Sequence, residues 1–301
     1  MSLIVTGAVC IDKIETPTSM AEELLGGSGI YFPAAASFFT QPRVLAAVGE
    51  DFPDDFLATF DHFNIDRRGL EVRKGSKTFR WHGKYHENMN DRDTVGIELN
   101  ILLEDPPVLP DFYADSEYVF LAVDRPSNQL NLLDSVPKRK LAVMDTIDLY
   151  INTQKDELVE VIKKVDGLIV NDSEAKALTG RRDVVAAALD LEKLGPKFVI
   201  IKKGEHGVVM KHADGWAALP AFPAEKVVDP TGAGDSFAGA MMGYLAETGD
   251  TSLSGMQKAL AYGTVTASFN IEDFSLGRMR TLTRADIDAR FKAFAAMVRI
   301  G

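Results

Sequence analysis

The chain has 301 residues, of which 46% are hydrophobic and 26% charged, as in an ordinary globular protein. Its formal net charge of −11 argues against a nucleic-acid partner and an anionic membrane surface, and its single cysteine, Cys10, excludes an intrachain disulfide. No segment approaches the ~18 consecutive apolar residues of a membrane-spanning helix, and the N-terminus lacks the basic start of a signal peptide, so we expect a cytoplasmic protein.

Short apolar runs and helix-like segments alternate in the N-terminal part of the chain. The run 3–7 ends in glycine and predicts a buried first strand. A glycine-rich turn at 24–29 precedes an Ala- and Phe-rich segment at about 31–39, which predicts a helix. A strand at 44–48 and a helix at about 56–63 are predicted to follow.

The sequence pattern changes between about residues 69 and 99. Charged and aromatic residues alternate over 77–85, which is typical of a half-exposed strand. Because the strands predicted elsewhere are buried, we expect this region and 10–18 to form a separate small sheet, a candidate lid. Phe79 and Trp81 should share one of its faces. An exposed sheet of this kind often pairs with another subunit, which favours a homodimer through the lid.

From Glu117 onward, apolar runs alternate regularly with helix-like segments. Strands are predicted at 118–123, 141–144, 167–170 and 198–201, with helices at 155–164, 173–178 and 184–194 and, in the C-terminal part, at 235–247, 253–269 and 284–298. This alternation predicts a parallel sheet with right-handed crossovers. Ligands of such sheets bind beyond the carboxyl ends of the strands.

A glycine-rich run, DPTGAGDSFAGA, occupies residues 229–240. Gly232, Ala233 and Gly234 lead into Asp235 at the start of a small, apolar helix. Free N–H groups and the positive end of the helix dipole would form an anion site there. A carboxylate beside a phosphate is repulsive unless it takes a proton from an attacking hydroxyl. The alternative is a plain helix start with an aspartate cap and a packing glycine.

The run 229–240 resembles the signature of the ribokinase-like (PfkB) family of sugar and nucleoside kinases, and the resemblance covers nearly the whole chain. It implies a doubly wound α/β fold over 1–301, with a mostly parallel sheet flanked by helices and a small β-sheet lid over the acceptor site. It also implies phosphoryl transfer from ATP with Mg²⁺. In that family the aspartate at the position of Asp235 is the general base. The amides at the positions of Gly232, Ala233 and Gly234 form the anion hole.

Two further motifs match the family on the nucleotide side. Asn171 and Glu174 correspond to an NxxE motif that organises Mg²⁺ and the phosphates largely through water, and a carboxylate oxygen suits Mg²⁺. The alternative is a helix-capping motif in which Asp172 or Ser173 caps the helix. Lys202 and Gly204 fall where the family approaches the nucleotide, although a hairpin turn with solvated lysines would have a similar sequence.

The acceptor side is carried by residues near the N-terminus. In relatives an aspartate like Asp12 binds acceptor hydroxyls, and a turn like Gly26-Gly27 lets the backbone approach the sugar. Tyr31 departs from the pattern, because relatives usually have an acceptor-binding asparagine there. An aspartate like Asp229 can help to hold a monovalent cation such as K⁺, or it is a simple turn residue.

These motifs together predict an ATP-dependent kinase whose acceptor is a hydroxyl of a small sugar-like molecule. A nucleoside is the alternative, favoured by the aromatic residues Tyr31, Phe79 and Trp81. A Rossmann oxidoreductase would need a GxGxxG motif after the first strand, and the sequence there, 7–10, does not fit. A non-catalytic sensor on the same fold would be expected to lack the base at Asp235.

Overall fold

A computed structural model describes residues 1–299 of the chain. Within that range the strands are β1 Leu3–Thr6, β2 Cys10–Glu15, β3 Met20–Gly26, β4 Pro42–Gly49, β5 Asp66–Arg73, β6 Phe79–Tyr85, β7 Arg92–Glu98, β8 Tyr118–Leu121, β9 Leu141–Met144, β10 Gly167–Asn171, β11 Phe198–Lys202, β12 Val208–His212 and β13 Gly215–Leu219. The helices are α1 Ser28–Ala36, α2 Asp54–His62, α3 Pro126–Ser135, α4 Asp148–Thr153, α5 Lys155–Ile162, α6 Asp172–Thr179, α7 Val184–Glu192, α8 Ala233–Thr248, α9 Leu253–Asn270 and α10 Arg284–Val298.

The strands form two sheets. The large sheet has the order β13-β12-β11-β10-β9-β8-β1-β4-β5, and its neighbours from β11 to β5 are parallel. The last two strands, β12 and β13, are antiparallel. The small sheet has the order β3-β2-β6-β7 and is mixed. The prediction of a mostly parallel sheet flanked by helices, with a smaller separate sheet, is confirmed.

Helices cover both faces of the large sheet, so its central strands are apolar on both sides. Leu3 and Val5 of β1 face a core shared with α1, α8, α9 and α10. Ile4, Val119 and Leu121 face a second core shared with α3, α5, α6 and α7. Strands buried on both faces are expected to be continuous apolar runs, which explains why sequence periodicity located them.

The small sheet differs from the predicted segments in two respects. The strand β3 belongs to it, although the predicted sheet included only 10–18 and 69–99. The strand β5 pairs with β4 at the edge of the large sheet, although most of its residues lie in the predicted lid region. An edge strand is solvated on one side, so its charges resemble those of a lid strand. No helix within residues 1–299 is both long and apolar enough to span a bilayer.

Candidate active site

The glycine-rich run forms the start of α8, at the carboxyl edge of the large sheet. Gly232 has the left-handed conformation φ 74°, ψ 2°, and the ring of Tyr31 packs against it. Within residues 1–299, the amides of Gly232 and Gly234 donate to no protein acceptor, whereas the Ala233 amide donates to Pro230 O at 3.2 Å. The loop therefore presents the Gly232 and Gly234 amides to an anion, and the predicted third amide, that of Ala233, is already engaged.

Asp235 lies in the first turn of α8, half-buried, and its side chain does not cap the helix. The alternative interpretation of Asp235 as a simple cap is therefore wrong. Burial raises the pKa of its carboxyl group above the ordinary value, while the nearby charges of Lys202 and Arg92 lower it. A carboxylate with a raised pKa is better suited to accept a proton than an exposed one.

Asn171 and Glu174 form a capping box at the start of α6. The Glu174 amide donates to Asn171 Oδ1 at 2.8 Å, and the Asn171 amide donates to Glu174 Oε2 at 2.7 Å. The capping alternative is therefore right about the motif but wrong about the cap, which is Asn171 and not Asp172 or Ser173. The capping box uses Glu174 Oε2 and leaves Oε1 without a role in the cap. Burial raises the pKa of the Glu174 carboxyl group.

Asp145 was not predicted as a site residue from the sequence. It directly follows β9, at the same edge of the sheet at which Asn171 ends β10. It is 5% exposed, and its Oδ1 has no hydrogen-bond partner in the part of the chain that the structure describes. Burial holds the pKa of Asp145 well above its ordinary value, and the charges of Asp235 and Glu174 raise it further. The positive charge of Lys202 lowers the pKa of Asp145. An aspartate that directly follows an apolar strand at the carboxyl edge was the available signal.

Lys202 ends β11 and lies beside the glycine-rich loop. Its Nζ is 2.8 Å from the position that a Cβ would take at Gly234. Gly204, in the turn between β11 and β12, is exposed, and a Cβ there would be 2.9 Å from Asn90 Oδ1 in the loop between β6 and β7. That loop of the small sheet therefore lies over the turn that follows β11.

Asp12 lies on β2 with 2% of its surface exposed. Its Oδ1 accepts a hydrogen bond from Cys10 Sγ at 2.9 Å, and a side chain at Gly26 would overlap the carboxylate. Burial raises the pKa of Asp12 to about 7, and the charges of Asp229 and Asp235 contribute to the increase. The structure thus brings Asp12, the Gly26 backbone and Asp235 into one region, as the sequence predicts.

Tyr31 packs against the glycine-rich loop, and Asp229 is the first residue of the run that contains it. Tyr31 is 2% exposed, and burial is the main reason that the pKa of its hydroxyl is raised. Gly27 is the N-cap of α1, which carries Tyr31. Asp229 is 1% exposed and accepts hydrogen bonds from the amides of Thr231 at 2.9 Å and Ser275 at 3.4 Å. The Asp229 hydrogen bonds hold the start of the glycine-rich run in place.

The small sheet turns one face towards this region. On that face the Tyr85 hydroxyl lies 3.0 Å from Thr231 Oγ1 in the glycine-rich loop. Trp81 precedes Tyr85 by four residues on β6 and pairs in register with Asp12. Arg92 pairs with Tyr85, and its guanidinium carbon lies 5.5 Å from the centre of the Trp81 ring. Neither Tyr85 nor Arg92 stands out in the sequence, because a hydroxyl and a positive charge are common on any exposed strand.

The electrostatics of the region are dominated by carboxyl groups whose pKa is raised first by burial: Asp12, Asp145, Glu174, Asp229 and Asp235. The cations that lower the pKa of both Glu174 and Asp235 are Lys202 and Arg92. A bound cation would lower the repulsion among these carboxylates.

Comparisons with known proteins agree on one family. Residues 22–281 match the family described as pfkB family carbohydrate kinase. The chain is 30% identical over 252 residues to a cytidine kinase from Thermococcus kodakarensis, covering 82% of this chain and 88% of the relative. A nucleoside kinase from Burkholderia thailandensis, solved in complex with inosine, superposes with a TM-score of 0.77 at 21% identity, covering 97% of each chain. A ribokinase from Cryptococcus neoformans, solved with ADP, superposes with a TM-score of 0.79 at 20% identity, covering 96% of this chain and 99% of that one.

Proposed function

The chain belongs to the pfkB family of carbohydrate kinases, and on that premise we propose that its acceptor is a nucleoside whose ribose binds Asp12 and whose base lies against Trp81. The reaction class follows from membership: the protein is an ATP-using phosphotransferase that acts on an alcohol group. The sugar-like acceptor, which the sequence favours, remains the second candidate because the family includes ribokinases.

The observation that carries the nucleoside proposal is the register of β2 and β6. It places Trp81 directly beside Asp12, on the face from which Tyr85 reaches the glycine-rich loop. The indole lies over Gly83, where a side chain would overlap it, so the ring is flat against the sheet. A carboxylate that can accept two hydroxyl donors next to a flat aromatic ring suits a ribose with an attached base. Two relatives, a cytidine kinase and a nucleoside kinase, support the same choice.

For the phosphoryl transfer we propose that Asp235 accepts the proton of the acceptor hydroxyl. The Gly232 and Gly234 amides would bind charge that develops on the transferring group, as at other helix starts. Lys202 and Arg92 would offset the remaining phosphate charge in this acidic region. Arg92 would leave the face of the Trp81 ring to do so, which would free that face for the base.

The donor set fits a hydrated Mg²⁺, which when bound would neutralise phosphate charge. Asn171, Glu174 and Asp145 offer oxygen atoms, and Asp145 Oδ1 is buried without a partner within residues 1–299. In the same range no cluster of three His, Cys, Asp or Glu side chains is arranged to hold a metal ion directly. We therefore assign these residues to the water shell of Mg²⁺, which keeps its waters readily. Asp229 is our candidate residue for binding K⁺.

Glu174→Gln is expected to raise the Mg²⁺ concentration needed for half-maximal rate by roughly 10–100-fold, because a carboxylate that orients metal-bound water is lost. The acceptor KM should change little. The measurement is a Mg²⁺ titration of the rate at saturating acceptor. Glu157→Gln, an exposed glutamate in the first turn of α5, is the matched control. An unchanged midpoint and rate would remove Glu174 from the metal site.

Trp81→Ala is expected to raise the acceptor KM roughly five-fold to a hundred-fold, with little change in the KM for ATP. The range follows from the ~1–3 kcal/mol of base–aromatic stacking. Initial rates with cytidine, inosine and free ribose measure it. Trp81→Phe should retain most of the affinity, and Trp216→Ala, the other tryptophan of the chain, should behave as wild type.

The same series separates the two acceptor classes. The nucleoside proposal requires that ribose be a far poorer substrate than its nucleosides and that Trp81→Ala narrow this gap. Equal use of ribose and nucleosides by the wild type would return the acceptor to a sugar. An unchanged acceptor KM in Trp81→Ala would leave the indole with a structural role in the small sheet.

The small sheet would act as the lid of this site, and Gly204, under its β6–β7 loop, would lie beside the nucleotide. Met20, Val95 and Ile97 of this sheet are more than half exposed. We propose that this sheet contacts a second copy of the chain and so forms a homodimer, as expected of an exposed sheet. The single domain over 1–301 and the cytoplasmic location remain predictions, and residues 300–301 lie outside the described range.

A further inference from the structure

A buried thiol and a buried carboxylate are paired on β2. Cys10 and Asp12, 3% and 2% exposed, lie two residues apart and therefore on the same face of the strand. The thiol donates to Asp12 Oδ1 at 2.9 Å. Within residues 1–299 this is the only hydrogen bond that the Asp12 carboxylate accepts. The other carboxylate oxygen, Oδ2, accepts no hydrogen bond in that range and can receive a donor from a ligand.

We propose that Cys10 is a positioning residue, whose S–H group holds the Asp12 carboxylate ionised and oriented to receive the acceptor hydroxyls. This inference rests on the proposed acceptor-binding role of Asp12. It adds that the affinity for the acceptor depends on a residue that does not touch it.

The packing around Asp12 leaves the carboxylate little choice of orientation. The Gly26 backbone closes one side, since any side chain there would overlap the Asp12 oxygen atoms. The Cys10 Sγ closes another side and lies close to Gly27 as well. The remaining direction is towards the face of the small sheet that carries Trp81, where we place the acceptor.

The charged groups that face Asp12 oppose its ionisation. Asp229 precedes α8 and Asp235 lies in its first turn, and the charge of each raises the pKa of Asp12. Burial raises the pKa of the hydroxyls of Tyr31 on α1 and Tyr85 on β6, and the Asp12 charge raises it further, so both stay neutral. The Cys10 hydrogen bond is the contribution that lowers the pKa of Asp12, which burial raises to about 7.

The thiol itself remains a donor throughout the neutral range. Burial raises the pKa of Cys10 well above its ordinary value, and the Asp12 charge raises it further. Asp12 must be ionised to accept two hydroxyl donors, so acceptor binding is present above the pKa of Asp12 and is lost as the pH falls through it. Removing the thiol raises that pKa and moves the loss to higher pH.

The test compares wild type with Cys10→Ala and Cys10→Ser, using the best acceptor among cytidine, inosine and ribose. In Cys10→Ala the acid limb of acceptor kcat/KM is expected to move up by about half to one pH unit, as for one hydrogen bond from a weak S–H donor. Cys10→Ser, which retains a donor, should return the limb to the wild-type position or below it. The KM for ATP and the thermal unfolding midpoint of each variant are measured alongside.

The outcomes separate this inference from the proposed function. If Cys10→Ala leaves the limb in place, or Cys10→Ser fails to restore it, the thiol only fills space and the inference is wrong. The Asp12→Asn variant tests the proposed acceptor site itself. If that variant keeps the wild-type acceptor KM and the same limb, Asp12 does not bind the acceptor, and the proposed acceptor site and the inference both fall.

Discussion

Asp235→Asn is expected to fold and to bind ATP as the wild type does, but to lose about 10²–10⁴ in turnover. Asparagine has the same shape as aspartate but cannot take the proton of the acceptor hydroxyl. The side chain does not cap α8, so the substitution removes no helix-capping bond. The measurement is kcat from ADP release at saturating acceptor, with ATP affinity determined separately by equilibrium binding.

The pH profile provides a second readout for Asp235. Its carboxyl group is the base only when ionised, so kcat should fall as the pH drops through a pKa that burial holds above the ordinary value. The residual kcat of Asp235→Asn should not show this decrease at low pH. Asp156→Asn, an exposed aspartate in the first turn of α5, serves as the control and should keep the wild-type rate. If Asp235→Asn retains most of its kcat, another group is the base.

The elements that the sequence predicted well are those whose environment is uniform. The strands at the centre of the large sheet are buried on both faces, and their ends carry Asn171 and Lys202. Because the carboxyl ends of parallel strands meet at one edge of a sheet, the residues that end neighbouring strands lie close to one another there. Asp145 obeys the same rule and was missed only because a single aspartate after a strand matched no motif.

The small sheet shows where sequence reasoning fails. An edge strand of a large sheet and a strand of an exposed sheet have the same solvated pattern, so β5 was grouped with the wrong sheet. The direction of Arg92 depends on the register between β6 and β7, which includes an irregularity after His82. No local pattern encodes such a register, because it is set by pairing between distant parts of the chain.

Tyr31 illustrates a different limit. In the sequence it appears only as a departure from an acceptor-binding asparagine. In the structure its ring is buried against Gly232, so it supports the glycine-rich loop whether or not its hydroxyl meets the acceptor. The role follows from packing between α1 and the start of α8, a contact between residues that lie far apart in the chain.

Gly232→Ala is expected to lower kcat by about 10²–10³, the loss typical of removing one donor from an anion hole. Two effects act together. The left-handed conformation of Gly232 costs an L-residue roughly 1–2 kcal/mol. The new methyl group would also overlap the Tyr31 ring, which is buried and has little room to retreat. The loop must therefore move, and the Gly232 and Gly234 amides move with it.

Gly180→Ala is a closely matched control for this substitution. Gly180 ends α6 with φ 71° and ψ 7°, almost the same conformation as the φ 74° and ψ 2° of Gly232. A Cβ at Gly180 meets no atom within 4 Å, so the backbone strain is similar but nothing is displaced.

Both variants should lose comparable stability from strain in thermal unfolding, with an additional loss for Gly232→Ala. Only Gly232→Ala should lose turnover, and most of that loss should appear in kcat rather than in the KM for ATP. Equal kcat values for the two variants would mean that the loop tolerates the displacement and that its amides do not form the anion hole.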